Sequence, residues 1–278
     1  MSFPFYGITD IGYGRTVNED YCFAKELDKD TVLLIIADGA GSHNEEFQPA
    51  IMICNEIYDF INSIINLESV DYVRDNVITV LKLAINVANR NLGAFKLGNE
   101  EKFGGYAASV TCCLVGKDNL FAFAHSGNTR LYLLRDGLPD GIHQLTVDYT
   151  KGYKLVQEGV ITNEQYYTHP DRLVIESGVG FGANPEIQTF KGRLKSNDKL
   201  LLTTDGIHYA IRSSAISEII RKTDNLEQGC TSLVMIAKEL KYIDNASALM
   251  LINVPVETKE IVHNEVGDKL KISKEDLM

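Results

Sequence analysis

The chain has 278 residues, 45% apolar and 23% charged, an ordinary globular composition that can bury roughly three quarters of its unfolded surface without a disulfide or a metal. Lys and Arg number 27 against 38 Asp and Glu, and the formal net charge of −11 sets aside nucleic-acid and anionic-membrane binders. Cys22, Cys54, Cys112, Cys113 and Cys230 form no Cys-x-x-Cys pair and no stretch approaches ~18 uninterrupted apolar residues, so zinc, disulfides, a signal peptide and a membrane span are not expected, and the setting reads as cytoplasmic.

A strand is expected at Tyr21 to Ala24 and another at Thr31 to Ala37, the latter ending at Asp38-Gly39. Helical patterning follows from Glu45 to Ile65. It resumes at Ser69, a candidate N-cap, with Val73, Val77, Leu81, Ala84, Ile85, Ala88 and Leu92 at helical spacing. Three strands come next: Ala107 to Val115, Leu120 to Ala124 and Arg130 to Arg135. Their connections are short, which predicts antiparallel pairing among them. A helical piece runs from Lys151 to Gly159, and Thr162 with Gln165 makes a capping box for another. Lys199 to Thr204 is a strand that again ends at Asp-Gly. Two helices, after Ser214 and up to Leu240, lead to a last strand at Ala248 to Val254. This order favours helices packed on antiparallel sheets, an α+β fold. One domain is expected over residues 1–256, with a charged tail over 257–278.

Asp38 and Asp205 each follow an apolar strand and precede Gly. An Asp-Gly pair is a favoured hairpin turn, but the segments after both pairs look helical. Glu19-Asp20 and Asp244 also sit at strand starts. Several carboxylates at strand ends, without His or Cys beside them, suit Mg²⁺ or Mn²⁺. On pattern alone, metal ligands and solvated turn acids both stay open.

Asp10-Ile-Gly-Tyr-Gly-Arg15-Thr-Val-Asn18-Glu19-Asp20 resembles the opening motif of bacterial PP2C-type protein phosphatases. Asp38-Gly39-Ala40-Gly41, Gly127-Asn128-Thr129-Arg130, Leu145-Thr146-Val147-Asp148, Thr204-Asp205-Gly206 and Asp244-Asn245 resemble their later motifs, in the same order over residues 6–254. The resemblance implies two antiparallel β-sheets packed face to face and flanked by α-helices. It implies hydrolysis of phosphoserine or phosphothreonine in proteins by water activated at two Mn²⁺ or Mg²⁺ ions. Asp38 would bridge the ions with the Gly39 carbonyl as a further ligand. Asp205 and Asp244 would hold one ion, and Glu19, with Asp20 behind it, would hold the other through water. Arg15 would grip the phosphate. The partners implied are a phosphorylated protein and a cognate Ser/Thr kinase.

Asn128 stands where the family carries Asp, so a third metal site is expected to be weak. Ala40 replaces a His found in some eukaryotic members. His43, three residues on, is then a candidate acid or an exposed loop residue. His169 falls in the expected flap, facing substrate or ordering the loop. Gly178-Val-Gly180-Phe-Gly182 reads as a loop rather than a nucleotide cradle, because Ala-Asn-Pro follows it. Arg15, Asp38, Asp205 and Asp244 favour an active phosphatase. Asn128 favours the alternative, a low-activity or inactive regulatory module of the same fold. A hydrolase of small phosphate esters is a third reading.

Overall fold

The computed structural model describes residues 3–41 and 48–254. Its layers follow from strand alternation. Strand β1 is Phe5–Asp10, β2 is Asp20–Asp28 and β3 is Thr31–Ala40. In β3, Leu33, Ile35 and Ala37 face one way and Val32, Leu34 and Ile36 the other, and all six are buried. The first set packs under two long helices, α1 (Pro49–Leu67) and α3 (Val77–Lys96), joined through the short α2 (Val70–Asp75). After α4 (Glu100–Phe103) come β4 (Ala107–Val115), β5 (Leu120–Ser126), β6 (Arg130–Leu134) and β7 (Ile142–Gln144). Next are α5 (Lys151–Gln157), α6 (Asn163–Tyr166), β8 (Gln188–Arg193) and β9 (Lys199–Thr203). The described chain closes with α7 (Asp205–His208), α8 (Ser213–Arg221), α9 (Leu226–Glu239) and β10 (Ala246–Ile252).

One five-stranded sheet has the order β2-β3-β4-β5-β8 and the other β1-β10-β9-β6-β7, with every pairing antiparallel. The sheets stack face to face. Val32, Leu34 and Ile36 of one meet Leu200, Leu202, Leu249 and Leu251 of the other in an apolar middle layer. Helices α8 and α9 cover the outer face of the second sheet. The expected α+β sandwich is therefore present.

Several boundaries match the sequence reading. Strand β4 spans the residues expected, Ser69 accepts from the Tyr72 N–H at 3.1 Å as an N-cap, and both bonds of the Thr162–Gln165 capping box form. Other expectations need correction. The second helical stretch breaks at Asn76, which caps α2 and starts α3. Helix α1 begins at Pro49, where a missing N–H costs nothing in the first turn. The expected helical start at Glu45, and His43, lie outside the described residues, as does the tail over 257–278.

The largest correction concerns β5 and β6. Their short connection predicted a hairpin, yet they lie in different sheets. Residues Gly127, Asn128 and Thr129 carry the chain across the end of the sandwich. Gly127 makes the step at φ +110, and a Cβ there would stand 2.3 Å from Ser109 Oγ. Gly127→Ala should therefore cost at least ~1–3 kcal/mol, from backbone strain plus the clash. Urea unfolding of this variant beside the parent measures it; equal midpoints would show that the crossover relaxes freely.

Candidate active site

The alternation that fills the middle layer also builds the site. Beyond Val32, Leu34 and Ile36, the next residue on that face of β3 is Asp38. Asp20 is its direct partner across β2 and β3, and Ser109 its partner on β4. Strand β9 delivers Leu200 and Leu202, then Thr204 and Asp205. Strand β10 is preceded by Asp244 and Asn245 and carries Ser247. One end of the sandwich is thus lined by acids and hydroxyls, where the apolar stripe gives out.

The four Asp carboxyls here repel one another. Burial, and then Asp205, Asp20 and Asp244, push Asp38 well above the ordinary carboxylate range. Burial and then Asp244 raise Asp205, and burial followed by Asp205 and Asp244 raises Asp20. Asp38 and Asp205 act on each other directly, Asp205 raising the proton affinity of Asp38. Burial also raises Asp244, against the pull of Arg15, whose guanidinium lies 2.7 Å away.

Neutral donors hold Asp20 and Asp205 in place. Thr204 Oγ1 and Ser247 Oγ both donate to Asp20 Oδ2 at 2.7 Å. Asn128 Nδ2 donates to Asp205 Oδ2 at 3.1 Å, while its Oδ1 accepts from Ser109 Oγ at 2.8 Å. That orientation turns the Asn128 carbonyl away from Asp205. Asn245, beside Asp244 in the chain, is a positioning residue that the sequence reading quoted only as part of a motif. Asn245 Oδ1 accepts from Glu19 N–H, and Nδ2 donates to the carbonyls of Ile11 and Val17, each at 2.9 Å. Three bonds from one carboxamide fix the loop that carries Arg15, Glu19 and Asp20. The Glu19 carbonyl in turn accepts from Gly39 N–H at 3.1 Å.

The expected residues other than His43 and His169 therefore gather at one mouth, but not as a finished cage. Among the described residues, no three acids already close on one point as a metal site. Arg15 occupies Asp244, and Asn128 occupies Asp205. His169 lies in the flap, where its Nδ1 accepts from Asp171 N–H at 3.2 Å and caps the turn at Pro170–Leu173. It orders that loop. The segment 178–182 is indeed a loop. The buried Asn89 side chain holds it, accepting from Gly180 N–H at 2.7 Å and donating to the Gly182 carbonyl at 2.9 Å.

The flap is anchored by a buried ion pair. Arg130, at the start of β6, donates from Nε to Asp148 Oδ1 at 2.9 Å and from a terminal nitrogen to Oδ2 at 2.6 Å. Tyr166 Oη and Gln144 Nε2 complete the carboxylate's shell at 2.8 and 2.9 Å. The guanidinium also stacks over Tyr209, 5.4 Å from its ring centre.

With two stacked antiparallel sheets and helical outer layers, the fold is that of solved bacterial serine/threonine phosphatases. A Staphylococcus aureus serine/threonine phosphatase matches with a TM-score of 0.78 at 24% identity, over 92% of this chain and 96% of that one. The catalytic domain of the phosphatase PstP, solved with two manganese ions, matches with a TM-score of 0.74 at 23% identity, over 91% of this chain and 99% of that one. Protein phosphatase PhpP of Streptococcus pneumoniae is 27% identical over 247 residues, 88% of this chain and 95% of that protein. The family model described as protein phosphatase 2C matches residues 13–241. The chain belongs to the protein phosphatase 2C family.

The anchoring pair gives a stability prediction. Asp148→Ala leaves a buried guanidinium without its countercharge and should cost about 3–5 kcal/mol. The double variant Arg130→Met/Asp148→Leu removes both charges and should recover much of that loss. Urea unfolding of the parent, the single and the double variant reads the coupling; additive losses would count against a tight pair.

Proposed function

We propose that the chain hydrolyses phosphoserine or phosphothreonine in a protein, using two divalent cations, Mn²⁺ or Mg²⁺, held at the acidic mouth. The observation that carries this reading is the excess of buried negative charge. Asp20, Asp38, Asp205 and Asp244 face one another, and among the described residues the one ion pair at the cluster is Arg15 with Asp244. The donor set fits hard cations, being all oxygen with no thiolate or imidazole beside it. Asp38 would bridge the two ions with help from the Gly39 carbonyl. Asp205 and Asp244 would serve one ion, and Glu19 and Asp20 the side of the other. When bound, such ions lower the pKa of water toward neutrality and stabilise charge developing on phosphorus.

The residues themselves supply the rest. Asp244 would help hold one ion, and the Arg15 guanidinium beside it would clamp two phosphate oxygens with parallel N–H donors. Asn245 keeps that guanidinium at the mouth by fixing its loop. Asp20 stays in its hydroxyl shell behind the bridge position. The substrate class implies a serine/threonine kinase as the enzyme that supplies it. The five cysteines are all free, which supports a reducing, cytoplasmic setting. Among the described residues no helix is long and apolar enough to cross a membrane.

One observation favours the low-activity alternative. The Asn128 carboxamide gives Asp205 a neutral donor and turns its own carbonyl to Ser109, so the position offers a third ion neither charge nor a free oxygen.

Phosphate release from a phosphothreonine peptide should require Mn²⁺ or Mg²⁺ and stop in excess chelator; undiminished release in chelator would exclude the mechanism. Asp38→Asn should lose cation affinity and turnover together. Arg15→Ala should bind Mn²⁺ at least as tightly as the parent, since Asp244 is released. Its kcat/KM should fall by the equivalent of about 1.5–3 kcal/mol, the worth of a charge-assisted clamp. Calorimetry with Mn²⁺ beside steady-state rates tests both variants, and equal loss of cation affinity in the two would contradict these roles.

Asn128→Asp tests the third position. In chelator it places a carboxylate where Asp205 now receives a donor, so Tm should drop below the parent's. Saturating Mn²⁺ should raise its Tm more than the parent's and add one weak site. An unchanged Mn²⁺ stoichiometry would place the limit elsewhere in the flap.

A further inference from the structure

The far end of the same strands has the opposite charge. A pocket of about 220 Å³ opens there, lined by Arg135, Lys195, Lys199 and Arg221 with Asp136 and Asp198. It lies roughly 20 Å from the acidic mouth, because Lys199 begins β9 and Asp205 follows its end, six residues at about 3.3 Å each.

The cations there are not equally committed. Arg135 forks onto the buried Asp198 at 3.0 and 2.6 Å, so these two cancel. Arg221, the last residue of α8, stands 3.6 Å from Asp136, a side chain fully in solvent. Lys195 and Lys199 have no carboxylate within ion-pair distance among the described residues. Lys199 is half buried, and burial lowers its affinity for its own proton, with the nearby Asp136 opposing that shift and Arg221 reinforcing it. Lys195, Lys199 and Arg221 thus share one exposed carboxylate, Asp136, and none of them is paired as closely as Arg135 is with Asp198.

The pocket is also built. Gly141 adopts φ +67, and a Cβ there would stand 2.0 Å from an Arg221 terminal nitrogen. The absent side chain is what seats the guanidinium against the wall. Asp198 Oδ2 accepts from Lys195 N–H at 2.6 Å, and the Lys195 carbonyl accepts from Asn253 Nδ2 at 2.9 Å, which fixes the loop that carries Lys195.

We propose that this pocket binds a phosphate-class oxyanion, inorganic phosphate or a phosphomonoester on a protein, at a site separate from the acidic mouth. A planar guanidinium and two lysine side chains lining one pocket match the donors a tetrahedral dianion needs. The two sources share that chemistry and differ only in what is attached to the phosphate. The proposal does not depend on hydrolysis at the mouth.

Calorimetric titration of the full chain in Mg²⁺, at constant ionic strength in chloride, tests it. The two arms are inorganic phosphate and a peptide bearing a non-hydrolysable phosphonate analogue of phosphothreonine. Lys199→Met and Arg221→Gln should each weaken one binding event about tenfold or more. Arg15→Ala should leave that event in place. Loss in both arms assigns the site to phosphate itself, and loss in the peptide arm alone assigns it to phosphoprotein. Affinity unchanged in Arg221→Gln, or all binding abolished by Arg15→Ala, overturns the proposal. Arg221 is exposed at a helix end, so its variant tests the site even if Lys199→Met fails to fold. Hydrolysis rates measured in parallel keep the mouth's activity distinct from this site.

Discussion

Mutual repulsion among the carboxylates at one end of the sandwich is the constraint around which the neighbouring structure is arranged. Asp20 and Asp38 sit directly opposite on adjacent strands, a placement that like charges disfavour. The surrounding side chains answer with donors: Thr204 and Ser247 to Asp20, Asn128 to Asp205, Arg15 to Asp244. Most of these donors are neutral, so they orient the acids without cancelling their charge. A cluster held that way is preorganised for a cation, because the geometry is fixed before the charge arrives.

The crossover between β5 and β6 ties this cluster to the flap. Gly127 turns the chain, Asn128 reaches Asp205, and Arg130 emerges on the second sheet to hold Asp148. Four consecutive residues thus contact both the acidic mouth and the base of the segment beside it. Tyr209, four residues after Asp205, completes the link by lying under Arg130 and donating to the Arg172 carbonyl at 2.9 Å. Short contacts thus connect the base of the flap with Asp205.

Much of this was legible in the sequence because apolar runs and the acids at their ends are local signals. The apolar run from Thr31 to Ala37 ending at Asp38 reads as a strand with an acid at its end, although the run alone does not say what the acid does. The pairing of β5 with β6 misled because connection length says which partner is easiest, not which sheet is stacked behind. Strand β8 was missed: Gln188–Arg193 is half polar and lies at a sheet edge, where no apolar run is needed. Strand β7 is three residues long, too short for periodicity. The break at Asn76 left the helical spacing of apolar residues intact on both sides. The orientation of the Asn128 carboxamide and the three bonds of Asn245 depend on partners up to 234 positions away in sequence, which no local pattern encodes.

The two ends of the second sheet complete the electrostatic picture. Strand β9 runs from Lys199 to the residue before Thr204 and Asp205, and β6 runs from Arg130 to the residue before Arg135. The same short strands therefore separate an anionic end from a cationic one by a layer of Leu side chains. In a chain of net charge −11, a cationic pocket does not arise from average composition; it requires cations gathered against the prevailing field. Arg135 with Asp198 and Arg130 with Asp148 show how this sheet neutralises an arginine by forking it onto a buried carboxylate. Lys199 lacks such a carboxylate at contact distance, and Arg221 has only a loose one in solvent. The distinction between those two pairs and these two cations separates packing from a site that awaits an anion.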